Sequence, residues 1–401
     1  GETSGGIRRA GTNLDEAARI MDGQEDTYWE PDLEAPLRQW WVELDLGRVV
    51  WAEKIVVKFA EEGAGDPFLQ FKVLTSNGDE AFQGSQSVDC RVAGRSEGLN
   101  KTQRVFEYDL RPYKMADPGI KGDLVQFVQI VATGSDGRRG AQVKGKEQWD
   151  ALGAAQGDAV YFRRESTGVE REVAQAEYEV ISEELRGIRY YRLEQPRLAE
   201  VEVWTAGDNI ASGIQTRGGS LQEGNPNAAA ELAFDGSIRT NWNATVFSTV
   251  GDIAGWGLLQ IDLGALMRID AVRTISRRPA RAERVLFGYI LRGSDGSVAP
   301  DGSLIWETLS PDERLLNQDT RLFEDRFDST PLRFLEFRNV DTARRTLAHE
   351  GNRHQSVVTE MQIYSSGSVP EVTMVSDLID MNVPRNLQTI SWDADTPEGT
   401  S

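Results

Sequence analysis

Apolar and polar residues alternate along this chain in short runs separated by polar turns. A period of two predicts half-buried β-strands rather than helices. In the first half, residues 55–59, 68–74 and 124–131 read as strands, and in the second half residues 269–275, 285–291, 332–337 and 357–364 do so. Asn77-Gly78 and Asp295-Gly296 each follow an alternating run and read as hairpin turns, because glycine accepts the positive φ that a tight turn demands. From about 134 to 187 the pattern breaks into Gly-, Arg- and Glu-rich sequence, with helices expected near 147–152 and 169–184. Strand character resumes at 188–193 and 199–204. The fold class this predicts is all-β.

A repeat overlies the alternation. Ala17-x4-Asp22-Gly23-x3-Thr27-x-Trp29 recurs as Ala230-x4-Asp235-Gly236-x3-Thr240-x-Trp242. Each copy leads into an aromatic-led strand, from Trp41 to Asp45-Leu46-Gly47 and from Trp256 to Asp262-Leu263-Gly264. Recurrence at this scale means two copies of one folding unit. The expected domains are 8–206, interrupted by an insertion at about 134–187, then 207–367. Residues 368–401 read as a linker and the start of a further β unit or a partner-binding tail.

Composition narrows the function. With 64 acidic against 44 basic residues the net charge is -20, a field that opposes phosphate backbones, so nucleic acid is not an expected partner. Divalent cations are the natural counterpart of such a surface. The single cysteine, Cys90, leaves no intrachain disulfide and no Cys-based zinc site. No apolar run reaches the roughly 18 residues that span a bilayer, so no direct membrane insertion is expected. The sequence has no nucleophile elbow, glycine-rich phosphate loop or paired-histidine zinc motif, and His349 and His354 have no third ligand at a recognisable spacing. The chain therefore reads as non-enzymatic.

In each copy of the repeat, Asp and Thr lie five residues apart on one turn, with a glycine between them. Carboxylate, hydroxyl and carbonyl oxygens gathered this way suit a hard cation such as Ca²⁺. The alternative is that Asp and Thr only satisfy local backbone donors.

These motifs resemble the discoidin family, also called coagulation-factor type C or galactose-binding-like domains, which includes carbohydrate-binding modules of bacterial secreted enzymes. Asp22, Thr27, Trp29, Asp45-Leu46-Gly47, Arg189-Tyr190-Tyr191-Arg192-Leu193 and Glu200 carry the resemblance in the first copy. Asp235, Thr240, Trp242, Asp262-Leu263-Gly264, the strand from Leu332 to Phe337 and Glu360 carry it in the second. It implies two tandem jelly-roll β-sandwiches, the first with a long insertion, plus a short C-terminal β segment. It also implies one structural Ca²⁺ per domain. Asp22, Thr27 and Glu200 would hold the first, with carbonyls near Ile20 and Gln24; Asp235, Thr240 and Glu360 would hold the second, with carbonyls near Phe234 and Ser237. Trp29, Trp242, Trp41 and Trp256 are expected in the cores.

Ligand binding in the family comes from loops, where Tyr28, Trp51 and Phe68 in the first domain and Arg277, Arg278 and Arg281 in the second are the candidates. The function implied is a non-catalytic, secreted or cell-surface bacterial protein that recognises carbohydrate or a cell-surface polymer. The alternative is a structural subunit of a bacterial cell-surface or extracellular assembly, meeting other protein subunits through the tail and the insertion.

Overall fold

The computed structural model describes residues 5–82, 87–112, 116–117, 119–224, 229–244, 257–276, 286, 288–310, 314–315, 321–339 and 357–365. The architecture is mostly β, with antiparallel ladders throughout its sheets. The first sheet contains β1 (Gly6–Ala10), β2 (Trp41–Phe59), β3 (Gln70–Ser76), β4 (Arg91–Arg95), β5 (Val105–Asp109) and β6 (Asp123–Gly134). A separate small sheet holds β7 (Gln142–Val143), β8 (Gln156–Arg164), β9 (Glu170–Glu172) and β10 (Arg186–Arg192), with helices α1 (Gly145–Ala151) and α2 (Gln175–Val180) beside it. The chain then returns to the first sheet as β11 (Leu198–Thr205).

The second half repeats the plan with β12 (Asp208–Asn209), β13 (Ser220–Glu223), β14 (Trp242–Asn243), β15 (Leu258–Ile275), β16 (Gly288–Ser294), β17 (Glu307–Thr308), β18 (Arg314–Leu315), β19 (Leu322–Asn339), β20 (Val357–Val358) and β21 (Glu360–Ser365).

The long strands β2 and β15 explain the Asp-Leu-Gly motif. The start of β2 pairs with β1 and β6, whereas its far end pairs with β5 and β11. Between them the register shifts from Asp45 to Val50. Strand β15 does the same, with β13 beside its start, β21 beside its end and a shift between Asp262 and Met267. A long strand that changes partners along its length needs a break in register, and a positive-φ glycine supplies it. Gly47 (φ 75°) and Gly264 (φ 82°) occupy those corners, each donating its N–H to the preceding aspartate, at 2.8 and 2.9 Å.

Asn77-Gly78 and Asp295-Gly296 end β3 and β16, each with the glycine N–H on a serine hydroxyl at 3.2 Å. Neither is a two-residue hairpin: β3 meets β4 only after a longer excursion, with Thr75 opposite Arg91, and Gly293 faces Glu307 on β17.

Two expectations for the insertion are corrected. Residues 169–184 are not one helix, because Glu170–Glu172 pair with β8, Gln175–Val180 form a short α-helix and a separate 3-10 turn follows at Glu183–Leu185. The Arg189–Leu193 stretch does not close the sandwich: β10 pairs with β8 and β7 in the small sheet. Its place beside the long strand belongs to β6, which pairs with β2 as β19 pairs with β15.

The root of the insertion is clamped by two carboxylates. Glu194 accepts the Ser135 hydroxyl at 2.5 Å and the N–H groups of Asp136 and Gly137 at 2.9 Å each. Asp66 takes both arms of Arg192, at 2.7 and 3.0 Å. Such forked, shielded pairs fix geometry as well as adding energy.

Each half has its own apolar core. One gathers Trp29, Trp40, Ile55, Phe68, Phe71 and Val201, and the other Trp242, Leu259, Tyr289, Leu335, Phe337 and Ile363. Trp29 and Trp242 are both buried as expected, but in the first half it is Trp40 that enters the core, while Trp41 lies half-buried under Arg9. Trp256 and the tail 366–401 lie outside the described residues.

A third buried cluster joins the halves: Val49, Trp51 and Leu124 pack on Ile238, Ala271, Ile275, Leu322 and Tyr364. Arg273 lies between the rings of Trp51 (4.4 Å) and Tyr364 (4.6 Å) and donates to Glu324 at 2.6 Å. Main-chain bonds stitch the seam's edge, with Asp117 N–H on the Leu322 carbonyl at 3.0 Å and Val49 N–H on the Gly236 carbonyl at 2.8 Å.

Candidate functional site

The repeated acidic turn is built the same way twice. Asp22 accepts the N–H of Gln24 at 2.9 Å on one oxygen and the Thr27 hydroxyl at 2.8 Å on the other. Asp235 accepts the N–H of Ser237 at 2.9 Å and the Thr240 hydroxyl at 2.7 Å. The threonine hydroxyls also reach the carbonyls of Gln24 (3.1 Å) and Ser237 (3.0 Å). Gly23 and Gly236 share a φ of 75°, a conformation that β-carbon sterics resist.

The tryptophan two residues beyond the threonine fastens each turn to a distant strand. Trp29 and Leu198 exchange two main-chain bonds, at 2.9 and 3.0 Å, and Trp242 lies opposite Val358 in the antiparallel pair of β14 and β20. Two residues on from Leu198 and Val358 stand Glu200 and Glu360. Both are buried carboxylates, and each lies in the field of its own turn's aspartate. The spacing Thr-x-Trp thus has a mechanical meaning: the clasp brings the glutamate of the last strand to the aspartate of the turn.

Burial pushes the Glu200 carboxyl above its ordinary range, with the Asp22 charge adding to the effect and the N–H groups of Gly23 and Gln24 opposing it. Burial, then the Asp235 charge, lifts Glu360 well above that range. One oxygen of Glu200 is buried with no hydrogen-bond partner.

Among the described residues there is no metal-holding group of three or more His, Cys, Asp or Glu side chains. Any cation here would take the carboxylates together with hydroxyl and carbonyl oxygens. At the first turn the Asp22 carboxylate, the Thr27 hydroxyl and the Gln24 carbonyl meet, and the orphaned oxygen of the buried Glu200 is the observation that fits a hard cation there.

The loop candidates fare unevenly. Trp51 is fully buried, with its indole N–H on the Lys121 carbonyl at 2.6 Å and its face under Arg273; the seam needs its ring, so it is not a surface contact. Phe68 is 1% exposed and packs against Phe59, Phe71 and Trp29, which removes it from any ligand surface. Tyr28 stays half-buried, with the Arg197 guanidinium 5.7 Å from its ring centre. Arg277, Arg278 and Arg281 lie outside the described residues, as do His349 and His354.

Sequence reasoning missed Trp204. It is 54% exposed, its indole N–H is held by Glu202 at 2.7 Å, and the Lys54 ammonium sits 5.3 Å from its ring centre. Its place at the end of the alternating run 199–204 makes it look like one more strand position; only the pairing of β11 on β2 shows that it faces water.

No family model matches this chain, and no curated protein matches it. Among solved structures it is similar to a family 32 carbohydrate-binding module from Clostridium perfringens in complex with galactose, at 14% identity over 38% of this chain and 96% of that one, with a TM-score of 0.26. It is similar also to a chitosan-binding module of a Paenibacillus chitosanase/glucanase in complex with chitotriose, at 14% identity, 39% and 100% coverage and a TM-score of 0.28. A fucolectin from striped bass (Morone saxatilis) serum aligns over 91% of this chain and 97% of its own, at 12% identity and a TM-score of 0.28.

Proposed function

We propose that this chain is a non-catalytic, secreted or cell-surface bacterial protein whose discoidin-like modules bind carbohydrate or a cell-surface polymer. The observation that carries the reading is Trp204. A large apolar ring is held open to water by a carboxylate on its N–H and an ammonium against its face, and polar groups rim it: Glu202, Lys54, Lys58 and Glu107. Flat apolar surface edged by fixed donors and acceptors is what a pyranose requires, with its C–H face on the ring and its hydroxyls on the rim. Tyr28, fastened beside the first acidic turn, is the second candidate contact. A divalent cation bound at Asp22, Thr27 and Glu200 would neutralise two neighbouring carboxylates and stiffen the loop that carries Tyr28. Its role is structural.

Affinity electrophoresis of the full chain through gels containing soluble polysaccharides tests this reading. Retardation by one polysaccharide, lost in Trp204→Ala or Tyr28→Ala, supports it; equal mobility in every gel removes it.

One observation favours the structural-subunit reading as well. The insertion exposes Val169 (62%), Val180 (83%) and Leu185 (40%), apolar side chains that a neighbouring subunit would cover. Light scattering of the full chain distinguishes the two readings: concentration-dependent assembly that Val180→Glu reverses favours the subunit.

A further inference from the structure

We infer that the two acidic turns do different work: the first binds a divalent cation, and the second is closed by Arg48 and serves as part of the seam between the halves. This rests on the reading that an acidic turn of this build suits a hard cation.

Gly23 and Gly236 have the same backbone angle but different surroundings. A methyl group placed on Gly23 would meet nothing within 4 Å, whereas on Gly236 it would lie 2.6 Å from the Arg48 β-carbon. Gly23 is exposed and Gly236 buried. The approach to the first turn is therefore open, and the second is roofed by the stem of a residue from the other half.

The carboxylates differ in the same sense. One Glu200 oxygen has no partner, and no ion pair to Asp22 or Glu200 occurs among the described residues. Glu360 accepts the Gly236 N–H at 3.2 Å and a bond from the Gln362 side chain, and lies in the field of the Arg48 guanidinium. Arg48 itself donates to the Ser212 hydroxyl across the seam. Both glutamates take two donors, Glu200 from the N–H groups of Gly23 and Gln24; what separates them is that Glu200 keeps a buried oxygen with no partner, whereas Glu360 already lies in the field of the Arg48 guanidinium.

The second turn is also committed to the seam. Its Gly236 carbonyl takes the Val49 N–H at 2.8 Å, Arg239 donates to the Gly78 carbonyl at 2.7 Å, and Gln362 donates to the Val49 carbonyl at 3.3 Å. Opening it to admit an ion means breaking these contacts.

Equilibrium dialysis of the EDTA-stripped full chain against calcium, with metal counted per chain, tests the inference. One ion per chain is expected. Glu200→Gln should weaken its binding by about tenfold or more, since affinity follows ligand charge. Glu360→Gln should keep one ion, and Arg48→Gln should admit a second, weaker one. Circular dichroism of each variant checks folding, and if Glu360→Gln fails to fold, the wild-type count and the Glu200→Gln loss decide. Two equivalent ions in the wild type overturn the inference while leaving the cation reading intact; no ion at all removes both.

Discussion

Removing the Trp51 ring should loosen the two halves from one another. The side chain is fully buried at the seam, packed among residues of both halves, capped by Arg273 at 4.4 Å and anchored through its indole N–H. Trp51→Ala leaves a cavity, for which large-to-small core changes cost about 3–5 kcal/mol. It also strips the buried guanidinium of a desolvated cation–π contact, roughly 1–2 kcal/mol. A total of about 4–7 kcal/mol is a large share of the roughly 5–15 kcal/mol that holds a typical domain folded. The loss should fall on the seam, because each half keeps its own core. Guanidinium denaturation followed by tryptophan fluorescence is the assay, with Trp204→Ala as the exposed-ring control. The wild type should unfold in one coupled transition, Trp51→Ala in two or in one at much lower denaturant, and Trp204→Ala within about 1 kcal/mol of the wild type. If Trp51→Ala unfolds with the wild-type midpoint, the seam does not couple the halves and the reasoning fails.

Three further outcomes follow from the geometry. Gly23→Ala should cost about 1–2 kcal/mol for its left-handed backbone alone, while Gly236→Ala should cost about 1–3 kcal/mol more because its methyl meets Arg48; equal losses in thermal or chemical denaturation would show that the second turn is not roofed. Asp66→Ala removes the partner of Arg192 and should destabilise the attachment of the insertion by about 3–5 kcal/mol, seen as faster limited proteolysis between β7 and β10; unchanged cleavage would contradict the clamp.

The buried Glu360 gives a pH signature. Its folded-state value lies above the ordinary 4.5, so the folded chain holds this proton more tightly than the unfolded chain does. Its contribution to stability is then intact below about pH 4.5 and is lost as pH rises through the elevated folded value. Metal-free Glu360→Gln should match the wild type near pH 4 and gain on it toward neutrality; a gap that does not change with pH would refute the assignment.

Much of the scaffold was legible because its signals are local. Asp and Thr five apart with a glycine between them make the same turn twice, and Asp-Leu-Gly marks the same strand corner twice, since backbone angles and short-range bonds decide both. The glutamates were found by motif, but the reason they reach the turns, the Trp29–Leu198 and Trp242–Val358 clasps, is visible only in three dimensions.

What sequence missed is set by tertiary pairing. The Arg-Tyr-Tyr-Arg-Leu run alternates as a sandwich strand would, and nothing local tells it to join β8 instead. An aromatic in a strand-rich stretch is equally compatible with a loop contact and a seam, so Trp51 and Phe68 read as ligand residues although both are buried. Arg48 and Arg273 carry no motif: their importance comes from the other half of the chain lying against them.

The central claim is recognition of carbohydrate, and glycan-array binding of the full chain, with calcium and with EDTA, tests it most directly. Saturable binding to a defined saccharide is expected, weakened by EDTA and lost in Trp204→Ala. Silence in both conditions, from a chain shown to be folded, would contradict it.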